Sequence, residues 1–179
     1  MSLPPGNNIF HQFPNKVFVE TGSYRGDGIQ AALDAGFEKI ISMDVDKEAI
    51  DFCMSRFDII NLNRNDIDLF IEDSGTALLD IIGEIETKIT FWLDAHWQFI
   101  GPEPRGPHLF PLLRELEQIA KHSIKEHTIL IDDWHIFYPD RVGYSKASVK
   151  DAIWDINRDY KISFIDNPVK DGILVATIK

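Results

Sequence analysis

The sequence predicts an α/β domain: a seven-stranded, mostly parallel sheet with helices on both faces and an antiparallel strand pair at its C-terminal end. Three observations carry that expectation. Apolar runs near Val17, Ile40, Asp68, Ile89 and Thr128 alternate with amphipathic stretches, and β-α alternation of this kind implies a parallel sheet covered on both sides. The first unit, residues 17–44, sets Gly22, Gly26 and Gly28 where a strand turns into a helix. The last two strands, 160–165 and 173–178, are joined too closely for a helical crossover, so they should be antiparallel.

Residues 1–15 read as an irregular arm, broken at Pro5-Gly6 and Pro14. Phe10 and Phe13 are expected to lay it over the sheet or over a ligand cleft. The first strand (Val17, Phe18, Val19) closes on Glu20, a helix spans 29–35 and stops at Gly36, and the second strand (Ile40, Ile41) closes on Asp44. Asp46 should cap a helix over 47–57, whose stripe is Ile50, Cys53, Met54 and Phe57. A third strand over 68–71 leads to Glu72-Asp73-Ser74. Ser74 is expected to cap the helix that runs to about Ile82, with capping by Asp73 the competing reading.

The fourth strand, 89–93, ends in Asp94-Ala95-His96-Trp97. Residues 98–108 hold three prolines and two glycines and read as a restrained loop. Leu109, Leu112, Leu113, Leu116 and Ile119 share one face of the next helix. The fifth strand, 128–131, ends in Asp132-Asp133-Trp134-His135. A loop carrying Phe137, Tyr138, Arg141 and Tyr144 precedes a helix that starts at Ser145 or Lys146. Its stripe is Val149, Ala152, Ile153 and Ile156. Asn167-Pro168 and Asp171-Gly172 should join the last two strands.

At 179 residues this is a single domain long enough to bury a core, and an apolar fraction of 44% is a globular value. A net charge of −11 argues against nucleic acid or an anionic membrane as partner. No apolar run approaches the ~20 residues of a membrane span, and no basic-then-apolar leader opens the chain. The lone Cys53 cannot close an intramolecular disulfide, which suits a reducing, cytoplasmic setting; it reads as a small buried hydrophobe.

The glycine-rich turn lacks the Gly-Lys-Ser/Thr of a phosphate-binding loop, since Ile29 and Gln30 follow Gly28. GxxxGxG fits a dinucleotide fingerprint only loosely. Glu20, at the strand tip, would repel a pyrophosphate but suits a cationic amine, and Asp44 is placed to accept from both hydroxyls of a ribose. An amine and a ribose together describe S-adenosylmethionine. Here the chain resembles the class I S-adenosylmethionine-dependent methyltransferases, whose Rossmann-like sheet also ends with an antiparallel strand insertion. Glu20-Thr21-Gly22-Ser23-Tyr24-Arg25-Gly26 looks like their first motif with one extra residue between the glycines. The resemblance implies a cofactor site of Glu20, Gly22, Ser23, Tyr24, Gly26 and Asp44. It adds Asp73 and Ser74 at the adenine, and Asp94 at the fourth strand tip.

Asp94, His96, Asp132 and Asp133 should also gather beyond the carboxyl ends of the strands. Crowded carboxylates repel unless a cation balances them, and oxygen ligands favour Mg²⁺, or Mn²⁺ or Ca²⁺, over Zn²⁺. The alternative is that each acid caps a loop and faces water separately. The arrangement resembles the Mg²⁺-dependent O-methyltransferases that act on sugars of the macrocin type. That likeness implies Asp94, Asp132 and Asp133 as metal ligands, and a catalytic base two residues beyond the first acid, where His96 replaces the usual aspartate. It implies O-methylation of a small acceptor such as a sugar, with Asp94 and His96 catalytic. Trp97, Trp134, Tyr138 and Tyr144 are expected to stack on the acceptor, and Arg105 or Arg141 to pair with an anionic group. With little chain beyond the core fold, a second subunit, as in a homodimer, would complete the site. The rivals are a metal-independent methyltransferase and a non-catalytic ligand-binding domain.

Overall fold

The computed structural model describes residues 9–62, 65–96 and 109–178. Its strands are β1 (Val17–Thr21), β2 (Lys39–Asp44), β3 (Ile67–Ile71), β4 (Ile89–Leu93), β5 (Thr128–Ile131), β6 (Lys161–Asn167) and β7 (Val169–Thr177). Between them lie α1 (Asp27–Ala35), α2 (Lys47–Arg56), α3 (Ile59–Leu62), α4 (Ser74–Ile82), α5 (Leu112–Lys121), α6 (Pro139–Val142) and α7 (Lys146–Ile156). The sheet order is β3-β2-β1-β4-β5-β7-β6. The first five strands are parallel; β7 runs antiparallel to both β5 and β6. Strand order reverses between β1 and β4, and open sheets of this kind take ligands at the carboxyl ends beside such a switch point.

Alternation along the strands divides the core in two. Val17, Val19, Phe91 and Ile129 face Leu78 of α4, Leu116 and Ile119 of α5, and Val149 and Ile153 of α7. Phe18, Ile40, Trp92 and Leu130 face the other way, against Ile29 and Ala32 of α1 and Cys53 of α2. The N-terminal arm lies over the sheet on this second face. Phe10 is fully buried, with its ring centroid 4.8 Å from Phe18 and 5.2 Å from Trp92. Asn15 Nδ2 and the Phe13 carbonyl both bond Thr90 Oγ1, tying the arm to the start of β4. Burial pushes the Cys53 thiol up to about 12, with the Glu20 charge adding to it, so the residue packs and does not react.

Several boundaries differ from the sequence expectation. Asp73, not Ser74, caps α4: its backbone is extended and its side chain accepts from Gly75 N at 2.8 Å, while Ser74 is the first helical residue. α5 starts at Leu112, because Pro111 at its cap disfavours helical backbone at the residue before it, and Leu109 stays outside at 38% exposure. The β6–β7 hairpin turns at Pro168, with Asn167 paired to Val169, so Asp171-Gly172 falls inside β7. A register irregularity at Ile165/Asn167 and a left-handed Asp171 (φ 53°) absorb the mismatch. Among the described residues no helix is long and apolar enough to cross a membrane.

Candidate functional site

The glycine-rich turn is held against two strand ends. Gly22 N and Ser23 N both donate to the Met43 carbonyl, at 2.8 and 3.2 Å, laying the turn across the tip of β2. Gly22 has φ 87°, and a Cβ there would come within 2.7 Å of the Asp94 carbonyl oxygen, so only glycine lets the turn press on the tip of β4. Tyr24 N donates to Asp44 Oδ2 and Asp46 N to Asp44 Oδ1, both at 2.9 Å. Asp44 is thereby fixed at the rim, and each carboxylate oxygen has capacity to accept a further bond.

Glu20 lies beneath this turn at 2% exposure. Ser42 Oγ donates to its Oε2 at 2.5 Å and lies 2.6 Å from Ser23 Oγ. α1 rests directly on the carboxyl group: a Cβ on Gly28 would fall 1.8 Å from Glu20 Oε1. Burial pushes Glu20 up to about 8; the Ser42 bond opposes this, and the charges of Asp44 and Asp27 add to it. Glu20, Gly22, Ser23, Tyr24 and Asp94 line a cavity of about 30 Å³. Gly26 (φ 76°) precedes the first turn of α1. At the third strand tip, Asp73 uses Oδ1 to cap α4, and Ser74 is buried at 4% exposure.

Asp94, His96 and Asp133 each offer one ligand atom within 4.8 Å of the others. His96 Nε2 lies 2.9 Å from Asp133 Oδ2, and His96 Nδ1 lies 3.4 Å from Asp94 Oδ1. Phe110 stacks on the imidazole at 6.4 Å and Phe137 meets it edge-on at 6.2 Å. Burial would raise the Asp133 pKa, but the hydrogen bond from His96 and the charges of His96 and His135 prevail and hold it below the ordinary carboxylate value. Asp133 also sits at φ 48°, a left-handed conformation that is uncommon for a residue other than glycine. Asp132, expected as a third ligand, is 2% exposed and outside this group.

Trp134, expected to stack on an acceptor, is 3% exposed and packs against buried Phe137 and the exposed ring of Phe164. Tyr138 is exposed, with Lys146 Nζ 4.8 Å above its ring, and Arg141 is exposed as well. Trp97 and Arg105 lie outside the described residues.

Sequence reasoning missed Glu115. It projects from α5 at 1% exposure. Burial pushes it up to about 7; nearby Ser74 and Thr21 hydroxyls and the charge of His96 pull the other way, and Asp73 adds to the rise. Thr21 lies near the carboxyl group, yet Thr21 Oγ1, Glu115 Oε1 and Tyr144 OH each lack a well-formed hydrogen bond. One signal was available: Glu115 stands three residues after Leu112 and four before Ile119, inside the apolar stripe.

No protein-family model and no curated protein matches the sequence. Solved structures do match. An O-methyltransferase from Bacillus cereus, in complex with S-adenosylhomocysteine, aligns over 96% of this chain and 77% of its own with a TM-score of 0.63 and 13% identity. TomG from Streptomyces achromogenes, an O-methyltransferase of tomaymycin synthesis in complex with S-adenosylmethionine, aligns over 96% and 76% with a TM-score of 0.61 and 10% identity. A Clostridium thermocellum protein assigned as an rRNA methylase aligns over 96% and 94% with a TM-score of 0.66 and 14% identity. The fold is that of the class I S-adenosylmethionine-dependent methyltransferases.

Proposed function

We propose that this protein is an S-adenosylmethionine-dependent methyltransferase that modifies an oxygen of a small hydroxyl-bearing acceptor, such as a sugar. The observation that carries this reading is the double membership of Asp94. It lines the cavity beneath the glycine-rich turn and also belongs to the His96–Asp133 cluster, so a group held by the turn would end beside the cluster. Two neighbours of the same fold are in complex with S-adenosylhomocysteine or S-adenosylmethionine, which supports this choice of cofactor.

The chain's residues fit the cofactor. Glu20 is a buried acid that gains a partner if an ammonium group enters, and Asp44 is an anchored acceptor for ribose hydroxyls. When bound, S-adenosylmethionine supplies an electrophilic methyl group. His96 would take the acceptor's proton, with Asp133 orienting the imidazole and the aromatic rings of Phe110 and Phe137 limiting its motion.

Asp94, Asp133 and His96 form a donor set that suits a divalent cation, and its mixed oxygen and nitrogen chemistry fits Mn²⁺ as well as Mg²⁺ or Ca²⁺. Such an ion would supply Lewis-acid activation of the acceptor hydroxyl. One observation favours a second reading without metal: His96 stands between Asp94 and Asp133 with a ring nitrogen toward each, in the position a cation would take. Turnover in excess EDTA separates the two readings.

The proposal is tested by calorimetry with S-adenosylhomocysteine. One-to-one binding is expected, and no binding at about millimolar ligand, where weak complexes still register, would overturn it.

A further inference from the structure

We propose that Arg25 anchors the carboxylate of the cofactor's amino-acid tail, so that the glycine-rich turn holds both ends of a zwitterion, with Glu20 at the ammonium. The inference rests on the methyltransferase reading and adds a residue to its cofactor site. The cavity beneath the turn is acidic: Glu20, Asp27 and Asp94 line it, and among its described lining residues Arg25 alone is a lysine or arginine. A carboxylate entering such a cavity meets like charges unless a cation takes it. Two arginines stand at the turn, and one is committed. Arg56 Nη1 donates to Asp27 Oδ1 at 2.6 Å and to the Arg25 carbonyl, which offsets the Asp27 charge. Among the described residues the Arg25 guanidinium makes ring contacts and no ion pair, lying 5.6 Å from the Tyr24 ring centroid and 6.0 Å from that of Phe52.

Those rings narrow the guanidinium's freedom. Tyr24 lines the same cavity and its N–H is bonded to Asp44 Oδ2, so Arg25 rests on a part of the turn already tied to the rim. The start of α1 is the other place for an anion, but Asp27 already puts a carboxylate in its first turn. Arginine also has the right shape, since its planar fork gives a carboxylate two parallel N–H···O bonds. Glu20 is buried beneath α1 whereas Arg25 is exposed, so the two ends of the tail have separate partners.

The test is titration calorimetry with S-adenosylhomocysteine and with its decarboxylated analogue, which keeps the adenosine, thioether and amine and lacks only the carboxylate. The wild type is expected to bind S-adenosylhomocysteine about tenfold more tightly than the analogue, as a charge-assisted bond allows. Arg25→Gln should remove that preference by weakening S-adenosylhomocysteine while the analogue binds as before, and Arg25→Lys should restore part of it. Equal affinity of the wild type for the two ligands overturns the subsite. A preference that survives Arg25→Gln also overturns it, because the carboxylate is then held elsewhere on the turn. So does an equal loss for both ligands in Arg25→Gln, which marks a structural role. No binding of either adenosyl ligand to the wild type overturns the methyltransferase reading, and the subsite with it.

Discussion

His96 Nε2 lies 2.9 Å from Asp133 Oδ2, and this contact joins the tip of β4 to the tip of β5. It gives the imidazole one orientation. The left-handed backbone at Asp133 (φ 48°) turns its carboxylate toward His96, while Asp132 beside it is buried.

If His96 is the base, His96→Ala should lower turnover by about 10²–10⁴-fold, the usual worth of a positioned base. Asp133→Asn should lower it by about 10–100-fold, as loss of an orienting partner does. Both variants should bind S-adenosylhomocysteine as the wild type does. Single-turnover kinetics beside calorimetry checks this, and a His96→Ala enzyme with normal turnover would make the residue structural.

Glu20 offers a proton signature. At about 8, its pKa leaves it mostly protonated at pH 7 in the free protein. An arriving ammonium group favours the ionised form, so binding should release a proton near pH 7 and tighten as pH rises toward 8. Calorimetry in two buffers of different ionisation enthalpy should show that release in the wild type and not in Glu20→Gln. Equal heats in both buffers for the wild type would remove Glu20 from the ammonium site.

A buried histidine pair sets an acid limit on stability. Ile89 N donates to His127 Nδ1 and Ile124 N to His122 Nδ1, so both Nδ1 atoms accept. His127 Nε2–H then donates to His122 Nδ1, and His122 Nε2–H to the Ile82 carbonyl. The chain leaves His127 no place for a second proton. Burial and the neighbouring His122 push its pKa down from 6.5 to about 4. The unfolded chain thus binds the proton first as pH falls, so stability is full above pH 6.5 and is lost between 6.5 and 4. That shift corresponds to about 3 kcal/mol. Urea titrations across this range should show the loss, and His127→Asn, where folded at pH 7, should flatten it. A wild type with pH-independent stability between 7 and 4 would contradict the assignment.

The β-α alternation made the parallel sheet legible, and the rule that ligands meet strand tips brought Gly22, Asp44, Asp94 and His96 to one edge. Other features depend on tertiary context. Nothing local says which of Asp132 and Asp133 faces inward, because that turns on one left-handed φ. Trp134 read as a loop aromatic, but after β5 it is buried against Phe137. Glu115 was hidden within an amphipathic helix, where an acid normally faces water. The short α3 and α6 are held by their neighbours, since isolated turns of that length do not persist on propensity alone.

The most direct measurement is titration calorimetry of S-adenosylhomocysteine into the wild type and Asp44→Ala. One-to-one binding is expected for the wild type, and a loss of about 1.5–3 kcal/mol for the variant, roughly 10- to 150-fold in affinity. No binding to the wild type, or equal affinity for a folded Asp44→Ala protein, would contradict a cofactor site built on the glycine-rich turn and Asp44.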